Sequence, residues 1–166
     1  YNFTSLWNDA MLNDMDVVQT LLEFHNQKNE KEFEEMERMI SDEQKRIVDI
    51  VMNKRKSLFF TGSGGCGKTY TLNYLIRKLY KEFGKDKIGV SSSTALSAMN
   101  IKDGMTIHKL FSIGIMDKPF KEIIDNIREN DFIYDRILKL EILIIDEISM
   151  INEKTFEFVD RVAREI

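Results

Sequence analysis

The sequence is poor in several things, and each shortage narrows what the chain can be. It holds one cysteine, Cys66, in 166 residues, which leaves no internal disulfide and no cysteine-rich metal centre and suits a reducing compartment. No apolar run approaches the roughly 18 residues of a membrane-spanning helix, so no membrane partner is expected. The start, Tyr1-Asn2-Phe3-Thr4, has neither an initiator Met nor a basic stretch leading into an apolar one. No signal peptide is expected there, and the start is compatible with a fragment boundary. Internal repeats and low-complexity tracts are also missing. An excess of positive charge is lacking too, since the net charge of -4 argues against a wholesale basic binder of nucleic acid. The charge is uneven, however: residues 1 to 44 hold 3 Lys/Arg against 11 Asp/Glu, and residues 45 to 166 hold 21 against 17.

What is present suits one soluble globular domain, with 43% hydrophobic and 31% charged residues over a length that leaves little room for two. The first forty residues are expected to be helical, because Leu6, Met11, Met15, Val18, Leu21, Leu22 and Phe24 fall near helical spacing with no Gly or Pro between them. The charge-dense stretch from Asn26 to Glu37 reads as a solvated helix face or linker. Ser41 with Gln44 three residues on, followed by Ile47, Val48, Ile50 and Val51, is a capping-box signature for a new helix.

From Ser57 onward the pattern changes. Ser57 to Thr61 reads as a short strand, Tyr70 to Phe83 as a helix with Leu72, Leu75, Ile76 and Leu79 on one face, and Lys87 to Ser92 as a second strand. A weaker helix covers Ala95 to Met99, one helix is expected over Phe120 to Leu138 with Ile123, Ile124, Ile127 and Ile137 inward, and another over Glu153 to Arg164. The unbroken run Ile142 to Ile145 suits a strand buried on both faces. Strands alternating with helices imply an α/β fold with a parallel sheet.

Gly62-Ser63-Gly64-Gly65-Cys66-Gly67-Lys68-Thr69 matches the phosphate-binding P-loop, and it lies between an expected strand and an expected helix, as the motif requires. Glycines let successive backbone N–H groups turn inward on phosphate oxygens, and the helix opening near Lys68 adds its positive end. Lys68 is expected at the β- and γ-phosphates of ATP, Thr69 at Mg²⁺, and Cys66 at a variable loop position without chemistry of its own. Asp146 and Glu147 follow the aliphatic run, at the end of a parallel strand where ligands bind. Asp146 would hold Mg²⁺ through water and Glu147 would orient and deprotonate the attacking water. Paired carboxylates after a strand also suit a helix N-terminus, and the P-loop tips the reading toward an ATPase.

With these residues in view, the sequence resembles the PIF (petite integration frequency) DNA helicases of superfamily one, relatives of RecD. Ile40-Ser41-Asp42-Glu43-Gln44 resembles the family's adenine-sensing motif, Phe59 to Ser63 leads into the P-loop in the family manner, and Ile144 to Ile151 is similar to its second ATPase motif. Between them, Ser93-Thr94-Ala95-Leu96-Ser97-Ala98 resembles the DNA-facing S-T-G-x-A-A block, and Thr106-Ile107-His108 the T-x-H that follows. Ala95 stands where the family has Gly, Ser97 where it has Ala, and Lys102-Asp103-Gly104 replaces a double-glycine loop.

The resemblance implies a RecA-like P-loop motor domain over residues 40 to 166, incomplete and preceded by a helical, acidic segment over 1 to 39. It implies an ATP-dependent DNA helicase that moves five-prime to three-prime on single-stranded DNA, with Gln44 at the adenine and Thr94, His108 and Lys109 along the DNA. Roles in DNA repair, recombination and telomere maintenance come with the family, as does an intracellular location, nuclear or mitochondrial if the source is eukaryotic. The family's G-D-x-x-Q-L-P-P motif does not occur, so the chain is expected to be the N-terminal part of a protein whose second RecA-like domain is its partner. Several residues keep a second reading. Gln44 also fits a helix cap, and His108 a buried hydrogen-bonded histidine, while His25 reads as unspecialised. Phe59, Phe60 and Phe111 suit a core better than base stacking. Two other activities stay open: a P-loop ATPase outside the helicases, and a catalytically idle nucleotide-binding scaffold.

Overall fold

A computed structural model describes residues 19, 22, 23 and 26–166. The N-terminal apolar positions Leu6, Met11, Met15, Val18, Leu21 and Phe24, and His25 with them, lie outside the described residues. Within the described ones, 26–39 are helical (α1) and Leu22 is exposed. Helix α2 (Asp42–Met52) follows at once. Its start is the capping box read from the sequence: Ser41 N–H donates to Gln44 Oε1 at 2.9 Å, and Gln44 N–H donates to Ser41 Oγ at 3.3 Å. The chain divides into two units between Lys45 and Arg46, within α2.

The second unit is built on a three-stranded parallel sheet in the order β2-β1-β3, with β1 at Ile88–Ser92, β2 at Met105–Thr106 and β3 at Ile142–Asp146. Helices α3 (Lys68–Phe83), α4 (Ala95–Ala98), α5 (Ile107–Phe111), α6 (Phe120–Arg128), α7 (Asp131–Leu138) and α8 (Glu153–Glu165) flank it, giving a RecA-like P-loop fold. The buried face of α3 includes Leu72, Leu75, Ile76 and Leu79, which its periodicity singles out, together with Thr71 and Tyr74. A second apolar cluster gathers Ile107, Leu110, Phe111, Ile113, Ile123, Ile124, Ile127, Ile137, Val159 and Val162 from α5 through α8. At roughly 1.5–3 kcal/mol for each large side chain fully buried, this cluster is the main force holding those four helices together.

Three expectations need correction. The stretch Phe120 to Leu138 is two helices, not one, because Asn130 leaves helical geometry and its side chain accepts the Ile133 N–H at 3.2 Å as the cap of α7. Asn competes with the helix for backbone hydrogen bonds, and isoleucine periodicity reads straight across such a break. The segment 57–61 is not a strand. Ser57, Leu58 and Phe60 form one wall of a cavity of about 420 Å³, whose other walls include Leu72, Leu75 and Leu79 of α3 and residues 142–145 of β3. The backbone there therefore stands off the sheet, and Phe59 is 72% exposed rather than in the core. Finally, β3 is not buried on both faces: Ile144 is buried but Leu143 is exposed. Among the described residues β3 pairs on one side only, with β1, and β1 is buried at every position.

Candidate functional site

The loop 62–67 is shaped by its glycines. Gly65 and Gly67 take φ of 76° and 82°, the left-handed region where a Cβ is disfavoured. A Cβ on Gly62 would lie 2.7 Å from Cys66 Sγ. Gly67 then opens the sixteen-residue helix α3 without any side-chain cap. Lys68 bends back over the loop, its Nζ donating to Gly62 O at 2.7 Å and Ser63 O at 2.9 Å, with Cys66 Sγ at 3.9 Å. Thr69 is exposed beside it, and Thr71 Oγ1 donates to Gly67 O at 2.9 Å, tying the first turn to the loop. A helix N-terminus with its dipole and an ammonium thus meet at the loop, an arrangement suited to an anion.

Asp146 closes β3, and its register opposite Ser92 fixes where its carboxylate emerges. Burial pushes the Asp146 carboxyl above its ordinary value; a backbone hydrogen bond from Glu147 opposes that, the Glu147 charge adds to it, and the Lys68 charge opposes it again. The Lys68 charge is the smallest of these effects. Glu147 is exposed and adopts φ 52°, ψ 41°, a left-handed conformation that costs a non-glycine residue roughly 1–3 kcal/mol. It swings the chain off the strand, so consecutive carboxylates leave the sheet in different directions. Among the described residues no group of three or more His, Cys, Asp or Glu could hold a metal by itself. The donors at hand, the Thr69 hydroxyl and the Asp146 carboxylate, fit Mg²⁺ only as it is held with phosphate oxygens and water, which is its usual habit.

The two blocks expected along DNA are brought together at the same end of the sheet. Thr94 caps α4: its hydroxyl accepts the Ser97 N–H at 3.1 Å, while Thr94 N–H reaches Ser97 Oγ at 3.4 Å. Thr106 caps α5 by accepting the Lys109 N–H at 3.2 Å. Both threonines thus serve as caps, and the Thr94 hydroxyl is engaged within its own turn. His108 is half-buried and Lys109 exposed. Gly104 has to be glycine, because a Cβ there would meet Ala98 O and Ile101 Cγ1 at 2.4 Å each; its loop is pressed against α4. Gln44 belongs to the first unit, where its side chain completes the cap of α2.

Other polar residues of this region carry no sequence motif. Asn73, one turn after Thr69 on α3, donates to Asn100 O at 3.2 Å and accepts the Lys102 N–H at 2.7 Å, clamping the loop after α4. Ser91 and Ser92, buried in β1, bond to the Ile144 and Asp146 carbonyls of β3 at 2.8 and 3.2 Å. Arg136 donates to Lys109 O, Leu110 O and Ser112 Oγ at 3.1, 2.7 and 3.1 Å, closing the C-terminal end of α5. A serine pair inside a strand of small and aliphatic residues was the available hint for β1; Asn73 and Arg136 gave none.

A model of the PIF1-like helicase family matches residues 39–166. The chain is 38% identical over 123 residues to the ATP-dependent DNA helicase PIF1 of Emericella nidulans, covering 73% of this chain and 16% of that protein. It is 35% identical over 128 residues to the ATP-dependent DNA helicase RRM3 of Saccharomyces cerevisiae, covering 77% of this chain and 18% of that protein. The chain thus spans less than a fifth of the length of these curated relatives. Among solved structures, the crystal structure of Pif1 helicase from Candida albicans superimposes with a TM-score of 0.71 at 31% identity, over 76% of this chain and 28% of that one.

Proposed function

The chain belongs to the PIF1-like helicase family, and on that premise we propose that it forms the nucleotide-holding wall of an ATP-dependent DNA helicase motor. The proposed motor moves five-prime to three-prime along single-stranded DNA. The observation that supports this is the loop 62–67, with Gly65 and Gly67 in left-handed geometry and Lys68 folded over it at the start of α3, in the same unit as a parallel sheet whose strand β3 ends in Asp146. A P-loop can bind phosphate alone; a hydrolase also needs a carboxylate, which in this reading Asp146 supplies from the end of a parallel strand.

In this reading the loop 62–67 wraps the phosphates of ATP, and Lys68 moves its donors from the Gly62 and Ser63 carbonyls to the β- and γ-phosphate oxygens. Thr69 and Asp146 hold Mg²⁺, which when bound neutralises charge on the phosphates. Glu147, turned away from β3 by its left-handed backbone, accepts a proton from the attacking water. Gln44 reads the adenine. Thr94, His108 and Lys109 line the DNA path, mostly through phosphate contacts that carry little sequence preference. The opposite wall of the cleft, with arginines that stabilise the transition state, comes from a second RecA-like domain of the same protein. The domain boundary falls near residue 40.

The test is titration of a fluorescent ATP analogue into the protein and into Lys68→Ala. The variant is expected to lose at least about tenfold in affinity, since a charge-assisted hydrogen bond contributes roughly 1.5–3 kcal/mol. Unchanged affinity in a folded Lys68→Ala protein would overturn the assignment of the phosphate site.

A further inference from the structure

We propose that Ser97 is a positioning residue that links the DNA-facing helix α4 to Asp146 through a relay of three hydroxyls. The inference rests on the reading above, that α4 lies along DNA and Asp146 serves ATP hydrolysis. Ser97 Oγ lies 2.7 Å from Thr94 Oγ1 and 2.6 Å from Ser92 Oγ, and Ser92 Oγ lies 3.2 Å from the Asp146 carbonyl oxygen. Ser92 is fully buried in the central strand, so water does not compete for its proton. The relay therefore runs unbroken from the cap of α4 to the main chain of the last residue of β3.

Each hydroxyl has one proton to give, and the distances allow two ways of giving them. In the first, Thr94 donates to Ser97, Ser97 to Ser92, and Ser92 to the Asp146 carbonyl. In the second, Ser92 donates to Ser97, and Ser97 donates to the Thr94 carbonyl, 3.2 Å away; the Asp146 carbonyl is released and the Thr94 proton is free for an outside acceptor. A DNA phosphate accepting from the Thr94 hydroxyl leaves Ser97 Oγ without that donor and so favours the second arrangement, in which Ser92 supplies one. Only hydroxyl rotations are needed, and no proton leaves its oxygen. The Asp146 carbonyl belongs to the peptide plane that leads into Glu147, whose left-handed backbone is already costly. Releasing it removes one restraint on that plane and so biases the Glu147 carboxylate, while the ladder keeps β3 in place. A ligand that favours one of two discrete arrangements is the requirement for coupling two sites.

Alanine at 97 lacks the middle hydroxyl and breaks the relay. The backbone ladder between β1 and β3 holds Asp146 whether or not Ser97 is present. Removing Ser97 should therefore cut the communication and leave the site in place. Steady-state ATP turnover of the full-length protein should be measured with and without oligo-dT, for the parent, Ser97→Ala and Ser97→Thr, with DNA affinity and thermal midpoint alongside. Ser97→Ala is expected to lower the DNA-stimulated kcat roughly three- to tenfold, the worth of one hydrogen bond. Its basal kcat, KM for ATP and DNA affinity should each change less than about twofold by the same reasoning, and Ser97→Thr should restore stimulation. Ser92→Ala, which cuts the relay while sparing the α4 cap, should show the same selective loss. Equal falls in basal and stimulated turnover, or full stimulation in a folded Ser97→Ala protein, would overturn the relay alone. No DNA stimulation in the parent would overturn the helicase reading and the relay with it.

Discussion

Glu147 is the residue whose geometry is hardest to explain without chemistry. It is exposed, makes the turn from β3 into the short 3-10 segment Ile148–Met150, and holds a left-handed backbone that Gly or Asn would adopt more cheaply. Nothing in the packing demands a carboxylate at that point. In the proposed role, Glu147→Gln in the full-length protein keeps ATP binding while turnover falls on the order of a hundredfold or more, the usual size of a general-base contribution. Pre-steady-state binding beside steady-state hydrolysis separates the two; near-normal turnover would remove Glu147 from water activation. At this scale the local geometry of contiguous motifs was legible: the glycine loop that opens α3 and the strand that ends at Asp146 each need only a helix start or a strand end and nothing from far away. Ser92, Ser97 and Asn73 were not legible, because a serine or asparagine becomes a bridge only when the fold brings its partner near. The caps made by Thr94 and Thr106 show a different ambiguity, since one residue type serves both a helix start and a phosphate contact.

Among the elements, α5 carries the His108-Lys109 pair and is only five residues long, too short to be stable alone. Its inward side, Ile107, Leu110 and Phe111, is buried in the second cluster, and its end is held by the Arg136 guanidinium on α7. Burial lowers the Arg136 pKa from its ordinary value, yet an arginine remains charged at neutral pH. Arg136→Met keeps much of the apolar stem but leaves the Leu110 carbonyl without this donor. The variant is expected to lose about 1–3 kcal/mol of stability, read as a lower urea midpoint with an unchanged slope; an unshifted midpoint would mean that α5 is held by its apolar face alone. Elements with strong periodicity, α3 and α8 above all, were legible within a residue or two. The break at Asn130 was hidden by isoleucines that keep helical spacing on both sides of it. The standing-off of 57–61 was hidden because an apolar run says that a segment is to be covered, not that its backbone is paired.

For the whole molecule, the fold class followed from the alternation of strands and helices, while the position of each strand in the sheet did not. The most aliphatic strand, β3, proved to be an edge, and the serine-containing β1 proved to be the centre, because hydrophobicity reports burial of faces and is silent about hydrogen-bonded edges. That open edge, with exposed Leu143, Leu58 and Phe59 nearby, is a surface prone to pairing with other chains. In the proposed motor one wall binds ATP and the other completes the transition state with arginines worth about a thousandfold or more in related NTPases. The most direct test of that claim is ATP turnover with and without single-stranded DNA, measured for residues 1–166 beside the full-length protein at equal concentration and salt. The account predicts DNA-stimulated turnover in the full-length protein and, for residues 1–166 alone, weak nucleotide binding with turnover slower by about a thousandfold or more. Turnover by the monomeric 166-residue chain that matches the full-length protein and rises with DNA would contradict it.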